Sequence, residues 1–351
     1  MNKVLFKTQL LICSLLCACI VSAQNPIDHV NMFIGSTGEH WSEYGGTTPA
    51  VSEPYGMTQW CAVTRKNGIS STMYHYNDKS LIGFMATHQP AVWMGDYGFF
   101  TLMPQVDQLK INAKERAVAL EKGQEIATPY YYQVRYLDAA KPVETKFTAT
   151  SRCSFFQVKY PSNGKSILYL EAGREKDGGG IEIFPDKQEV RIYNKERHDS
   201  HLGPRLYNLS GYYVLKFSQP FAEYGTWLAN DITPKGQRAD GSSVGGYIEF
   251  PAGVEIVEVK IGSSFIDYEQ AEENLAQEIP ANASFEQTKD RVKNNWSANL
   301  DKIKIKGASK DDLDVFYTAF FRTMQYPREF SEYGRYYSPF DDKVHEGTSY
   351  N

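Results

Sequence analysis

The chain has 351 residues, 42% hydrophobic and 23% charged, a composition that excludes a disordered chain, a collagen-like chain and a small disulfide scaffold. Lys and Arg number 37 against 42 Asp and Glu, and this mildly acidic balance with no basic stripe excludes nucleic acid as the expected partner. The aromatic share of 14% fits two readings: a Tyr-rich β protein, or a surface that stacks on sugar rings.

Residues 1–23 read as a signal peptide. Lys3 and Lys7 precede an apolar run from Leu10 to Val21, and Val21-Ser22-Ala23 supplies the small residues of a cleavage site. The run is too short to span a bilayer, and no later stretch is long enough. The expectation is a secreted or periplasmic protein with no transmembrane segment. A second reading takes Leu16-Cys17-Ala18-Cys19 as a loose lipoprotein box, which makes an outer-membrane lipoprotein anchored through Cys19. Cys13 also lies in this leader, so the rest of the chain keeps only Cys61 and Cys153. They either pair or are buried thiols, and neither has neighbours at metal-ligand spacing.

From about Ile27 to Ser264, short alternating runs are broken by Gly, Pro, Asn and Asp, the mark of a mainly β fold. Val143, Thr145, Phe147 and Ala149 alternate with Glu144, Lys146, Thr148 and Thr150. A parity shift between Ile256 and Val257 suggests a bulge. The expected architecture is a large antiparallel β-sandwich of the supersandwich type, followed by linker α-helices. Tyr268 to Ile279 is the first helix, stopped by Pro280. Ser284-Phe285-Glu286-Gln287 is a capping-box signature, with Val292, Trp296, Leu300 and Ile303 on one face behind it. A third helix opens at Ser309 and turns Leu313, Phe316, Phe320 and Met324 inward. Phe330 to Asn351 is aromatic and irregular, and such side chains require something to pack against.

The densest chemistry lies between Gly35 and Pro104. It holds Trp41, Pro54-Tyr55-Gly56-Met57, Tyr74-His75-Tyr76, Thr87-His88-Gln89-Pro90 and Trp93-Met94-Gly95-Asp96-Tyr97-Gly98. Glycines beside aromatics let backbone approach a ligand while a ring supplies a platform, and Asp96 is placed to accept hydroxyl hydrogen bonds. The alternative is a set of tight β connections with core aromatics. His198 and His201, three apart, make a weak metal candidate, and Gly178-Gly179-Gly180 lacks the spacing of a phosphate loop. Glu39, Glu43, Glu53 and Asp78 are loop carboxylates with no pairing signature.

Taken in order, these residues resemble the amino-terminal domain of glycoside hydrolase family 92, the exo-acting α-mannosidases. The matching blocks are Val30-Asn31-Met32-Phe33-Ile34-Gly35, Pro54-Tyr55-Gly56-Met57, Tyr74-His75-Tyr76, Gly83-Phe84 with Thr87-His88, and Gly95-Asp96-Tyr97-Gly98 leading to Leu102-Met103-Pro104. The chain departs where many members have Ser-His-Thr-His-Leu-Ser-Gly: here the run is Met85-Ala86-Thr87-His88-Gln89-Pro90-Ala91-Val92-Trp93, a bulkier loop.

The resemblance implies a two-domain, calcium-dependent inverting α-mannosidase that trims terminal α-mannose from mannose-containing glycans. It divides the chain into residues 1–23 as signal peptide, 24–265 as sandwich, 266–327 as linker helices, and 328–351 as the start of a truncated (α/α)6 catalytic domain. The catalytic acid, base and most calcium ligands would lie in that barrel, so no catalytic or metal residue is expected here and the fragment is expected to be inactive alone. By position, Phe33, His88, Trp93 and Asp96 form a sugar-facing wall. The rival readings are a stand-alone, non-catalytic carbohydrate-binding β-sandwich, and a surface scaffold or adhesin whose aromatics are merely core.

Overall fold

The computed structural model describes residues 25–38, 45–89, 91–121, 123–136, 141–175, 177–198, 206 and 208–350, and between Gln59 and Ser264 the alternating runs become paired strands. The leader with Cys19, together with Glu39, Trp41, Glu43, Pro90 and His201, lies outside these residues. Sixteen strands build the two main sheets. They are β1 Gln59–Val63, β2 Gly83–Thr87, β3 Phe100–Val106, β4 Glu125–Thr128, β5 Tyr131–Tyr136, β6 Val143–Ala149, β7 Cys153–Lys159 and β8 Ser166–Gly173, then β9 Gly179–Phe184, β10 Glu189–Asn194, β11 Gly211–Phe217, β12 Glu223–Leu228, β13 Asp231–Pro234, β14 Arg238–Gly241, β15 Val244–Glu249 and β16 Ile256–Ser264.

One sheet has seven strands in the order β1-β2-β3-β8-β15-β12-β13, and the other has nine in the order β14-β9-β10-β11-β16-β7-β6-β5-β4. Their pairings are antiparallel. Between Asp231 and Gly241 the chain steps from the edge of the first sheet to the edge of the second.

The sandwich core is aromatic. Phe147 stacks on Phe156 at 4.8 Å, and Trp60 sets its edge against both Phe156 and Phe100 at 5.0 and 5.5 Å. Val143, Thr145, Phe147 and Ala149 are buried, as their alternation predicts. The suggested bulge at Ile256 is absent: β7 and β16 pair without a break from Cys153 opposite Gly262 to Lys159 opposite Ile256. A turn closed by Val254 N–H to the Pro251 carbonyl causes the parity shift, and the register break falls instead in β8, between Glu171 and Gly173. Cys61 and Cys153 are both buried free thiols.

Three helices follow: α1 Tyr268–Glu278, α2 Phe285–Leu300 and α3 Lys310–Thr323. α1 lies so close to β16 that a Cβ on Gly262 would meet the Ala271 carbonyl at 2.2 Å, which only glycine avoids. The capping box of α2 forms in both directions, Gln287 N–H to Ser284 Oγ at 3.2 Å and Ser284 N–H to Gln287 Oε1 at 3.0 Å. Trp296 on α2 is fully buried and donates its indole N–H to the Ser52 carbonyl at 2.6 Å. The buried residues of α3 are Tyr317, Thr318 and Phe321, with Met324 buried at its C-cap as expected; Tyr317 and Phe321 take the place expected of Phe316 and Phe320, which with Leu313 are half-buried at the margin. The cause is the partner surface: Ile27, Val30 and Met32 pack with α2 and draw Tyr317 and Phe321 inward.

Arg152, on the turn between β6 and β7, ties these layers together. Its guanidinium pairs with Glu278 at the end of α1 at 2.7 Å and with Glu329 at 2.9 Å, and its Nε donates to the Ser331 carbonyl at 3.0 Å. Arg152 and Glu278 are both over nine-tenths buried, so each depends on the other for neutralisation. Arg152→Met is expected to lower the unfolding free energy by about 3–5 kcal/mol by stranding Glu278. Adding Glu278→Gln should recover part of that loss, read from urea midpoints at unchanged m.

Candidate functional site

Asp96 and Tyr97 form a short strand opposite Arg197 and His198, at the end of the sandwich nearest the segment after α3. Backbone meets backbone beneath it: a Cβ on Gly98 (φ +55°) would strike the Gly211 nitrogen at 2.7 Å, and one on Gly211 would strike the Gly98 carbonyl at 2.1 Å. The Gly-Asp-Tyr-Gly run therefore has a packing reason for its second glycine.

Asp96 is fully buried and its carboxylate accepts four hydrogen bonds. Oδ1 takes the backbone N–H groups of His88 and Tyr97 at 2.8 and 2.9 Å, and Oδ2 takes Asn67 Nδ2 and the Thr87 hydroxyl at 2.7 and 2.8 Å. Burial pushes its pKa up, and the hydrogen bonds from His88, Thr87 and Tyr97 oppose that shift. With four donors in place, Asp96 is the knot that gathers residues 67, 87, 88 and 97.

His88 lies beside it, 2% exposed. Its Nδ1 is 2.6 Å from the Tyr97 carbonyl and must donate, so Nε2 accepts from the Thr58 hydroxyl at 3.1 Å. The Ser263 hydroxyl stands 2.7 Å from that of Thr58. Burial and the Arg328 charge push the imidazole pKa down to about 3, so the ring is neutral. It stacks on Tyr97 at 5.1 Å and tilts against Phe265 at 4.8 Å, and Phe265 stacks in turn on Phe330 at 4.8 Å. Met57, Leu209 and Tyr337 complete this apolar floor. Two of the terminal aromatics, Phe330 and Tyr337, thus find packing partners, whereas Tyr333, Phe340 and Tyr350 remain 48, 78 and 63% exposed.

Trp93 stands on the loop between His88 and Asp96 with 61% of its surface exposed. Phe33 is half-buried and packs instead against Tyr74 and Tyr76, at 6.2 and 5.3 Å. The structure therefore brings His88 and Asp96 into one buried network, sets Trp93 at the surface on the loop joining them, and seats Phe33 on a different pair of rings.

Sequence patterns missed Arg328 and Gln89. Arg328 is 2% exposed and has no carboxylate at ion-pair distance among the described residues; its Nη2 donates to Gln59 Oε1 and to the Gln89 carbonyl, both at 3.1 Å. Its Nη1 and the Gln59 Nε2 are buried without partners, and burial lowers the guanidinium pKa. A lone Arg after Tyr326-Pro327 carries no periodic signal that would have marked it.

Asp78 and Glu332 are held by protein donors as well. Asp78 is held by Arg65 and by the Thr64 hydroxyl at 2.6 Å. Glu332 accepts from Phe265 N–H at 2.9 Å and Asn274 Nδ2 at 2.7 Å, its pKa pushed up to about 7 by burial. His198 stacks on Phe99 at 5.4 Å with Nε2 3.7 Å from Glu196. Among the described residues no group of three or more His, Cys, Asp or Glu has the geometry to hold a metal ion.

The His88 shift fixes a pH dependence. A folded pKa near 3 against 6.5 for the free group means the unfolded chain binds the extra proton between those values. This contribution to stability is complete above pH 6.5 and is lost as pH falls towards 3. His88→Gln should flatten that acid limb, measured as the midpoint of thermal unfolding against pH.

Comparison with known proteins gives this geometry a family. The profile described as "Glycosyl hydrolase family 92 N-terminal domain" matches residues 29–264, and that of the "Glycosyl hydrolase family 92 catalytic domain" matches residues 270–351. The fold superposes on a family GH92 inverting mannosidase of Bacteroides thetaiotaomicron VPI-5482 with a TM-score of 0.85, at 33% identity, over 93% of this chain and 44% of that one. A GH92 α-mannosidase from Bacteroides thetaiotaomicron gives 0.79 at 19% identity, over 93% of this chain and 45% of that one, a likeness of fold. An uncharacterized secreted glycosidase of Arthroderma benhamiae is 24% identical over 317 residues, 82% of this chain and 40% of that protein. The chain spans less than half the length of these relatives. With a profile matching well over half of its residues and a large antiparallel sandwich in common with the solved relatives, the chain belongs to glycosyl hydrolase family 92.

Proposed function

We propose that this chain is the amino-terminal part of a secreted, calcium-dependent inverting α-mannosidase acting on terminal α-mannose of glycans, and that its sandwich end shapes substrate access. The observation that carries the reading is Trp93. A large indole, 61% exposed, sits on a loop whose two roots, His88 and Asp96, are fastened into one buried network. An exposed ring on a fixed base is a stacking platform for a sugar face. The similarity to an inverting mannosidase at 33% identity supports mannosides as the substrate class.

In this proposal the wall recognises and the chemistry lies elsewhere. An inverting glycosidase needs two carboxyl groups about 6.5–9.5 Å apart with room for water between them. Asp96 is saturated by four protein donors, and Glu332 is held by the Phe265 N–H and the Asn274 amide, so neither carboxylate is free to pair with the other across a sugar. Bound calcium would supply grip on vicinal sugar hydroxyls, and no cluster among the described residues fits it, which leaves its ligands to the catalytic domain in this reading. Trp93 and Phe33 act as apolar surfaces, while His88 and Asp96 hold the wall from behind. We further propose 1–23 as signal peptide, 24–265 as sandwich, 266–327 as linker helices and 328–351 as the start of the catalytic domain, with export rather than Cys19 lipidation.

Calorimetric titration of α-mannobiose into the chain from residue 24 onward tests the wall. The expected result is saturable binding that survives calcium chelation and weakens about tenfold in Trp93→Ala. An isotherm unchanged by that substitution would remove Trp93 from the site, and no binding by folded wild-type protein would move recognition off the sandwich.

A further inference from the structure

The Trp93 loop is held by one side chain that no motif assigns. Gln89 is 7% exposed, and its Nε2 donates to the carbonyls of Gly68 at 3.1 Å, Ser71 at 3.3 Å and Met94 at 3.0 Å. Three carbonyls around one nitrogen fix the amide orientation, and Oε1 on the other side is buried without a partner. A residue that leaves its own acceptor orphaned is there for its donors. Its main chain is pinned as well: Gln89 N–H donates to the Thr87 hydroxyl at 3.1 Å, and its carbonyl receives Arg328 Nη2 at 3.1 Å. Further out, Ser70 N–H reaches the Val92 carbonyl at 2.8 Å, and Met94 N–H closes on Ala91 at 3.0 Å. The segment bearing Trp93 is thereby laced to residues 68–71 on both sides of the indole.

We propose that Gln89, braced by Arg328, is the positioning residue that sets Trp93 before any ligand arrives, so that this chain presents a pre-formed platform for a mannosyl ring. The proposal rests on Trp93 serving as a sugar platform, and it places the determinant of that platform where the chain departs from the family's commoner loop. Gln89 touches no ligand. It acts by removing the ordering cost that a loose aromatic loop would impose on binding.

Fluorine NMR of fluorotryptophan-labelled protein reads this directly, because the chain has five tryptophans and Trp93→Phe identifies the one line that matters. The parent should give a single narrow Trp93 resonance. Gln89→Leu should broaden or split that line alone and weaken α-mannobiose binding about fivefold. A merely structural role would lower the unfolding midpoint and leave the Trp93 line as it was. That outcome overturns the proposal, as does a parent Trp93 line already averaged to that of a free indole. The parent spectrum decides even if Gln89→Leu does not fold. Trp93→Ala with intact mannoside binding would instead overturn the platform reading and leave the fastening of the loop by Gln89 in place.

Discussion

The end of α1 and the segment after α3 are joined to the sandwich by one buried guanidinium. Arg152 reaches from a β turn to the last residue of α1, to Glu329 and to the Ser331 carbonyl, and its plane lies 5.0 Å from the Tyr333 ring. Removing such a charge from water is costly, so the contacts must form together or not at all. Without it, Phe330 would lose its place on Phe265, and with that the floor under His88. The His88 end of the sandwich thus depends on a residue that also joins a sheet to a helix.

The site repeats this logic on a smaller scale. Asp96 gathers four donors, Gln89 serves three acceptors, and Arg328 serves a side-chain amide and a main-chain carbonyl. Each is buried and directs hydrogen bonds to backbone or neighbouring loops, which converts irregular chain into fixed geometry. Tyr55 belongs to the same scheme. It holds a left-handed φ of 59°, uncommon for a tyrosine, while its N–H and C=O bind Met324 and Glu329 at 2.7 and 2.9 Å. The linker and the loop of the sandwich are therefore locked to each other through main chain as well as side chain.

How much of this the sequence disclosed follows from the range of each interaction. Val143 to Ala149 could be read as a strand because burial alternates within seven residues, and Ser284 with Gln287 could be read as a cap because the partners are three apart. The face of α3 was misjudged by one residue because Ile27, Val30 and Met32, almost three hundred positions earlier, decide which side is buried. His88, Trp93 and Asp96 were visible as a motif, but the burial of the two polar residues and the exposure of the indole were not. Arg328 binds a carbonyl 239 residues away, and Gln89 binds carbonyls of two loops. Neither leaves a periodic trace, since contacts made to backbone place no demand on the type of the residue contacted.

The passage of the chain from one sheet edge to the other has a consequence for the molecule in a crowd. β13 is exposed along its whole length and opens with Asp231 and closes with Pro234, which has no N–H to offer a neighbour. β14 carries Arg238, paired to Glu182 at 3.2 Å and to Asp240 at 3.1 Å. At the far end of the first sheet, β1 is capped by the bridge between Val51 and Trp60. Open sandwiches grow by adding strands at such borders, and charge, proline and a covering bridge each frustrate that addition. Three of the four borders of the two main sheets therefore carry a feature that opposes the addition of a further strand.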